Sequence, residues 1–153
     1  MANTTNPNGF KFVRNLYGPA VVLQMTNGAV AIKKGDTIVS GSGVALIGTT
    51  SSTFITGVAA ADCAIGGVLS YYPCLPGYVF ETEITTYTVT THLHGQYDVA
   101  GATGVQYIDA GAHAEAHVVV LGLVEDGENV TGAYARVYVM FIASTFTANS
   151  GHA

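Results

Sequence analysis

The sequence predicts an all-β protein, a single-domain barrel or sandwich, and three observations lead to this class. Val, Ile, Thr and Tyr, which strands favour, recur along all 153 residues. Nineteen Gly supply turns between short apolar runs. Turn signals return roughly every 8–12 residues, a spacing typical of sandwiches and barrels. A chain of this length most simply forms one domain.

The first half of the chain contains short candidate strands separated by turn residues. Residues 20–25 run into Asn27-Gly28, the strongest two-residue hairpin signal, so a return strand is expected at 29–32. A turn at 33–36 follows. Further strands are predicted at 37–40, 44–48, 53–58 and 66–72, with a single helical turn as the one helix candidate at 59–63.

The second half contains longer strands. Residues 78–94 form the longest strand-like stretch, and 95–104 is rich in turn residues. Shorter strands are predicted at 105–108 and 117–124, and a closing strand at 133–146. In the closing strand Ala135, Val137, Val139 and Phe141 alternate with Tyr134, Arg136, Tyr138 and Met140, as expected for a strand with one buried face.

The N-terminal residues 1–18 are predicted to form an extended arm, and residues 19–153 the barrel or sandwich domain. The start of the chain is rich in Asn and Thr and has no period, so it cannot bury much apolar area alone. Apolar anchors follow, and we expect them to contact a neighbouring subunit. They are Phe10, Phe12, Leu16 and Tyr17.

The low charge of the chain limits its function. Only 10% of the residues are charged, against about 25% in typical soluble domains. Few charges keep such a surface apart from its own copies, so we expect a homo-oligomer within a larger assembly. With a net charge of −5 and scattered basic residues, no nucleic-acid groove is expected. The apolar runs are too short to predict a membrane span, and the polar start predicts synthesis in the cytoplasm without export.

A histidine-rich segment suggests one alternative function. His92-Leu93-His94 would place two imidazoles on one face of a strand, and Asp98 and His117 follow. Jelly-roll metal proteins of the cupin type use an HxH pair, a carboxylate and a later His. Two half-exposed side chains are the commoner meaning of such a pair, so we expect no metal, no cofactor and no enzyme activity, with a cupin-like metal protein as the alternative.

Arg136 is the only basic residue after Lys34. It should not stay unpaired on a strand with Tyr134 and Tyr138, and Glu81 or Glu83 is its expected partner, within one subunit or across a subunit boundary. We expect the pair to be buried. The thiols of Cys63 and Cys74 are expected to be small half-buried groups, and a disulfide between them stays open.

Several segments together resemble the small decoration, or cement, proteins on the capsids of tailed double-stranded DNA phages. The segments are Gly35-Asp36-Thr37-Ile38-Val39, Gly43-Val44-Ala45-Leu46-Ile47-Gly48, Ile55-Thr56-Gly57-Val58-Ala59, Gly66-Gly67-Val68 and Leu75-Pro76-Gly77-Tyr78-Val79-Phe80-Glu81. The resemblance implies a compact β domain that forms trimers on the outer capsid surface of a virion. It also implies binding to the major capsid protein, stabilisation of the shell and an N-terminal arm that reaches over neighbouring subunits.

Overall fold

A computed structural model describes residues 2–28 and 30–146. Strands make up 46% of the chain and helix 3%, which confirms the all-β prediction. The strands are β1 Lys11–Asn15, β2 Leu23–Asn27, β3 Thr37–Gly41, β4 Val44–Ile47, β5 Gly57–Ala59, β6 Val68–Pro73, β7 Tyr78–Tyr87, β8 Gln96–Ala100, β9 Tyr107–Asp109, β10 Val118–Leu123 and β11 Gly132–Phe141. The short helix α1 spans Val89–His92.

Strands β2 to β6 close into a small barrel in the order β2-β4-β3-β5-β6. The β2–β4 pair is parallel, and the other pairs are antiparallel. The barrel is filled by a compact set of side chains that are almost fully buried. They are Ile32, Ile38, Ala45, Ala59, Leu69 and Tyr71.

The remaining strands form the large sheet, in the order β1-β7-β11-β10-β8-β9. Strand β9 returns to β7 through the parallel pair Ile84 and Ile108, which bends the sheet back on itself. The alternation predicted for the closing strand is confirmed, because its inward residues are buried in the core of this sheet. They are Ala135, Val137, Val139 and Phe141.

Buried polar side chains and a shared core join the small barrel to the large sheet. Ile55 and Val58 of the small barrel lie in the core of the large sheet. The fully buried Gln106 side chain accepts hydrogen bonds from the Thr37 backbone N–H at 2.7 Å and hydroxyl at 2.9 Å. Its amide donates to the Gly48 carbonyl at 2.9 Å. The two parts therefore form one domain.

The predicted hairpin at Asn27-Gly28 is wrong. Strand β2 instead pairs with β4 and β6, and no strand follows at 30–32 among the described residues. The buried Asn27 side chain explains the difference. Its amide donates to the Val30 carbonyl at 2.7 Å and to the Cys63 and Ala64 carbonyls at 3.2 Å, so the residue anchors two loops instead of shaping a tight turn.

Two further expectations fail around the longest predicted strand. It ends at Tyr87, and α1 occupies part of its expected range, whereas 59–63 contains no helix. The N–H of Thr88 donates to Nδ1 of His92 at 2.8 Å, and this bond helps to close the helical turn. The turn-rich region 95–104 contains β8, a buried strand of the large sheet.

The division into an arm at 1–18 and a separate domain is corrected for residues 10–15. Strand β1 pairs with β7 as part of the sheet. Phe10 is buried in the core, and the Phe12 ring stacks on Tyr72 at 4.4 Å. These two side chains therefore pack within their own subunit. A bulge between Phe12 and Arg14 interrupts the alternation of inward and outward side chains. The sequence therefore shows no clear strand pattern here.

Candidate functional site

A depression of about 970 Å³ lies on the outer side of β7 and β11. It is lined by the carboxylates of β7, by the acidic turn before β11, by Tyr134 and Arg136 of β11, and by most of residues 2–8. The sequence predicts that Arg136 pairs with Glu81 or Glu83, and the structure places all three residues here. We call this depression the acidic groove.

Arg136 pairs with Glu81, as predicted, and also with Asp126, a partner that no sequence pattern indicates. The guanidinium Nη1 lies 3.0 Å from Glu81 Oε1, and Nη2 donates to Asp126. The pair is not buried as expected, because the Arg136 side chain is 38% exposed. Partly exposed ion pairs contribute about 1 kcal/mol or less, whereas breaking a buried pair costs about 3–5 kcal/mol.

Asp126 is held at the tip of its turn by several donors. The Arg136 guanidinium, followed by the backbone N–H groups of Asn129 and Glu128, lowers the pKa of Asp126 to about 2. The same contact raises the pKa of Arg136. The turn is fastened to β11 by Asn129, whose side chain both donates to the Arg136 carbonyl and accepts from the Arg136 N–H at 2.8 Å.

Glu83 has a different partner from the one predicted for it. Its carboxylate accepts hydrogen bonds from the Thr5 hydroxyl at 3.1 Å and from the Asn6 N–H at 2.8 Å. Asn3 reaches β11 and the loop before it, donating to the carbonyls of Val130 at 2.6 Å and Ala133 at 3.0 Å. Residues 2–8 are thus held across the acidic groove by polar contacts. The signal for this contact in the sequence is the richness of the N-terminal segment in Asn and Thr, which can donate hydrogen bonds to a carboxylate such as that of Glu83.

The charged and polar groups of the acidic groove hold neighbouring segments of the chain in place. Glu81 and Asp126 are held by a guanidinium, and Glu83 is held by N–H and O–H donors. Charge-assisted hydrogen bonds of this kind fix the geometry of their partners. The groove orients the N-terminal segment and the acidic turn.

The structure does not bring the histidine pair together as metal ligands. His92 is buried in α1, where its ring packs between Tyr87 and Tyr97 and its Nδ1 accepts from Thr88. His94 is exposed and follows the helix with a φ of 62°. The expected shared strand face is therefore wrong, because the chain turns between the two residues.

The other two candidates of the metal hypothesis each bind backbone groups. The Asp98 carboxylate accepts from the N–H groups of Ala114, Glu115 and Ala116 at 3.1, 3.0 and 2.7 Å. His117 accepts from the Val99 N–H through Nδ1 at 3.0 Å, so its Nε2 carries the proton that faces the Ser52 carbonyl. Both residues shape loops of the large sheet. In the described part of the chain, no three His, Cys, Asp or Glu side chains lie together as metal ligands would.

Leu16 and Tyr17, unlike Phe10 and Phe12, are available for contact. Leu16 is 52% exposed and Tyr17 is 78% exposed. They begin an uncharged stretch, residues 16–22, in which every residue is exposed. The stretch lies against the end of the β6–β7 connection, where the Val21 N–H donates to the Tyr78 hydroxyl at 2.7 Å. We call it the apolar linker.

The two cysteines carry free thiols. Cys74 is buried, and burial raises the pKa of its thiol well above the usual value. Cys63 is half-buried beside Gly67. Cys63 is half-buried as expected, whereas Cys74 is more deeply buried than the expected half-buried group.

Among residues 2–28 and 30–146, no helix has both the length and the apolar character needed to cross a membrane. Compared with known proteins, the chain matches no family model and no curated protein.

Proposed function

We propose that this chain is a structural virion protein, a decoration or cement protein of a tailed double-stranded DNA bacteriophage. It binds the outer capsid surface and stabilises the shell. Its partners are the major capsid protein of the same virion and further copies of itself, most simply in a trimer. It is made in the host cytoplasm and carries out no catalysis.

The proposal rests on the positions, within the fold, of the segments that resemble decoration proteins. Residues 35–39 and 43–48 contain most of β3 and all of β4, and residues 55–59 contain β5. Residues 66–68 enter β6, and residues 75–81 lead from β6 into β7. Each segment alone is ordinary strand-and-turn sequence. Together they contain most of three strands of one closed barrel, reach the first residue of a fourth and follow its exit, so the resemblance follows a structural unit.

The surface of the protein supports a binding role. The apolar linker exposes Leu16, Tyr17, Val21 and Val22 without any charged residue. Apolar area that a capsid surface covers would contribute roughly 25 cal/mol per Å², less the cost of ordering the contacting groups. Several copies joined in one oligomer would gain further from effective concentration.

The test is binding to empty capsids assembled from the major capsid protein encoded by the same genome. Purified chain should co-sediment with these capsids at a saturable ratio and raise the temperature at which they disassemble. Replacing both Leu16 and Tyr17 with Ser should weaken co-sedimentation, whereas the matched surface change of Val89 and Val105 to Ser should not. No binding by the wild-type chain, or a source genome without a capsid protein, would contradict the proposal.

A further inference from the structure

The small barrel carries its charges at one corner. Between residues 15 and 80 the sequence has only four charged residues, Lys33, Lys34, Asp36 and Asp62. The Lys34 N–H donates to the Asp62 carboxylate at 2.8 Å, and Lys33 Nζ lies 3.9 Å from it. Asp36 is buried and accepts from the Lys33 N–H at 2.9 Å. The rest of the barrel surface is therefore neutral.

One neutral face of this barrel also exposes large apolar side chains. Strands β2 and β6 pair along their length, with Thr26 opposite Val68 and Gln24 opposite Ser70. Val68 is 66% exposed, and Ile65, just before β6, is 64% exposed. Val30 lies in the loop after β2 and is also exposed. No charged residue lies in 15–32 or 63–80, the two stretches that contain these strands.

A face of this composition fits a second copy of the same chain better than a different protein. Near the symmetry axis of an oligomer each residue meets its own counterpart, so any charged residue there faces a like charge and destabilises the contact. An interface with a different protein has no such restriction and commonly uses complementary charges to set orientation. A neutral face with exposed Val and Ile, on a protein that keeps charges elsewhere, has the composition that a symmetry axis requires.

We propose that copies of this chain associate through the outer face of β2 and β6, with the symmetry axis passing close to Val68. The inference rests on the proposed function for the number of copies, which is three. The contact between copies then uses one face of the small barrel. The apolar linker and the acidic groove lie at the edge of this face or outside it.

The test places a charge on the proposed axis. Wild-type protein should have a solution mass of about three times 15.8 kDa at micromolar concentration. Val68→Lys and Val68→Glu should each shift the mass toward one copy, with self-association weakened at least tenfold. An equal mixture of the two variants should regain part of the oligomer, because a mixed trimer holds two unlike charge pairs and only one like pair. Val89→Lys, a matched change at a Val that is 56% exposed on α1, should keep the wild-type mass.

Circular dichroism and thermal unfolding of each variant show whether the fold survives, as it should for exposed sites. A Val68→Lys protein that keeps the wild-type mass overturns the inference, and so does a wild-type protein that stays a single copy at high concentration. If the Val68→Lys protein is folded and oligomeric but no longer binds capsids, the outer face of β2 and β6 contacts the capsid protein and not a second copy. Self-association that depends on Val68 in a wild-type chain that does not bind capsids supports the inference and contradicts the proposed function.

Discussion

The small barrel and the large sheet have similar strand numbers but place their charged residues differently. In the small barrel four charged residues share one corner and the remaining surface is neutral. In the large sheet Arg136 and its partners Glu81 and Asp126 lie on the outer side and hold a turn in place, while the neighbouring Glu83 holds the N-terminal residues. The charged groups of the acidic groove therefore fasten peripheral segments. In our proposal the neutral part contacts other proteins.

The largest expected effect concerns which part of the N-terminus belongs to the large sheet. Deleting residues 1–18 removes β1 with Phe10 and Phe12, and loss of one buried Phe side chain costs about 3–5 kcal/mol. This deletion should lower the free energy of unfolding by at least about 3 kcal/mol. Deleting residues 1–8 removes mainly partly exposed hydrogen bonds and should cost about 1 kcal/mol.

Urea unfolding of both truncated proteins measures the difference. If both deletions lower the free energy of unfolding by the same small amount, residues 10–18 belong to the N-terminal arm that the sequence predicts. A large loss from the shorter deletion would show that the polar fastening across the acidic groove is a main source of stability.

A second prediction asks whether the two parts unfold together. Gln106→Ala should cost about 3 kcal/mol, because a buried N–H, hydroxyl and carbonyl of the small barrel lose their partner. Gln24→Ala, at an exposed position of β2, should change stability by less than about 0.5 kcal/mol. Tyrosine fluorescence and far-ultraviolet circular dichroism should give one coincident transition for both variants. Separate transitions in Gln106→Ala would mean that the barrel and the sheet are independent units.

The smallest expected effect is the change in stability with pH that results from the contact between Asp126 and Arg136. Its pKa is about 2 in the folded chain and 3.8 ordinarily, so the unfolded chain takes up the proton first as pH falls. The stability that Asp126 contributes is full above pH 3.8 and is lost as pH falls through about 2. The difference in thermal midpoint between wild type and Asp126→Asn should therefore shrink across this window.

Arg136→Ala provides the control, because it removes the first cause of the lowered pKa. Introducing Asp126→Asn into Arg136→Ala should give a difference that varies much less with pH. A wild-type difference that stays constant from pH 5 to pH 2 would show that the contact with Arg136 does not persist in solution.

The sequence predicted those parts of the fold that depend on local pattern. The alternation of Val137 and Val139 with polar neighbours specifies which face of β11 is buried, and the unmatched charge of Arg136 specifies a carboxylate partner. Both inferences use a rule that acts within one or two strands. The turn at 33–36 follows in the same way from local turn residues.

Other features depend on contacts between residues distant in the chain, which a local pattern does not reveal. Gln106 meets Thr37 across 69 positions, and Thr5 meets Glu83 across 78. Asn27 reads as a turn residue because its burial against two loops has no local signal. The pair His92 and His94 misleads for a related reason, since a helical turn replaces the strand that the pattern suggests.

The edge of β1 has a consequence for how the protein behaves when crowded. In the described sheets β1 has a neighbour on one side only, and it carries a bulge and the exposed Lys11 and Arg14. An open strand is where identical chains can add to one another and grow into fibrils. Two of the five basic residues of this charge-poor chain lie on that strand. The features that oppose strand addition therefore lie on one strand, and replacing Lys11 and Arg14 would leave the bulge alone to oppose it.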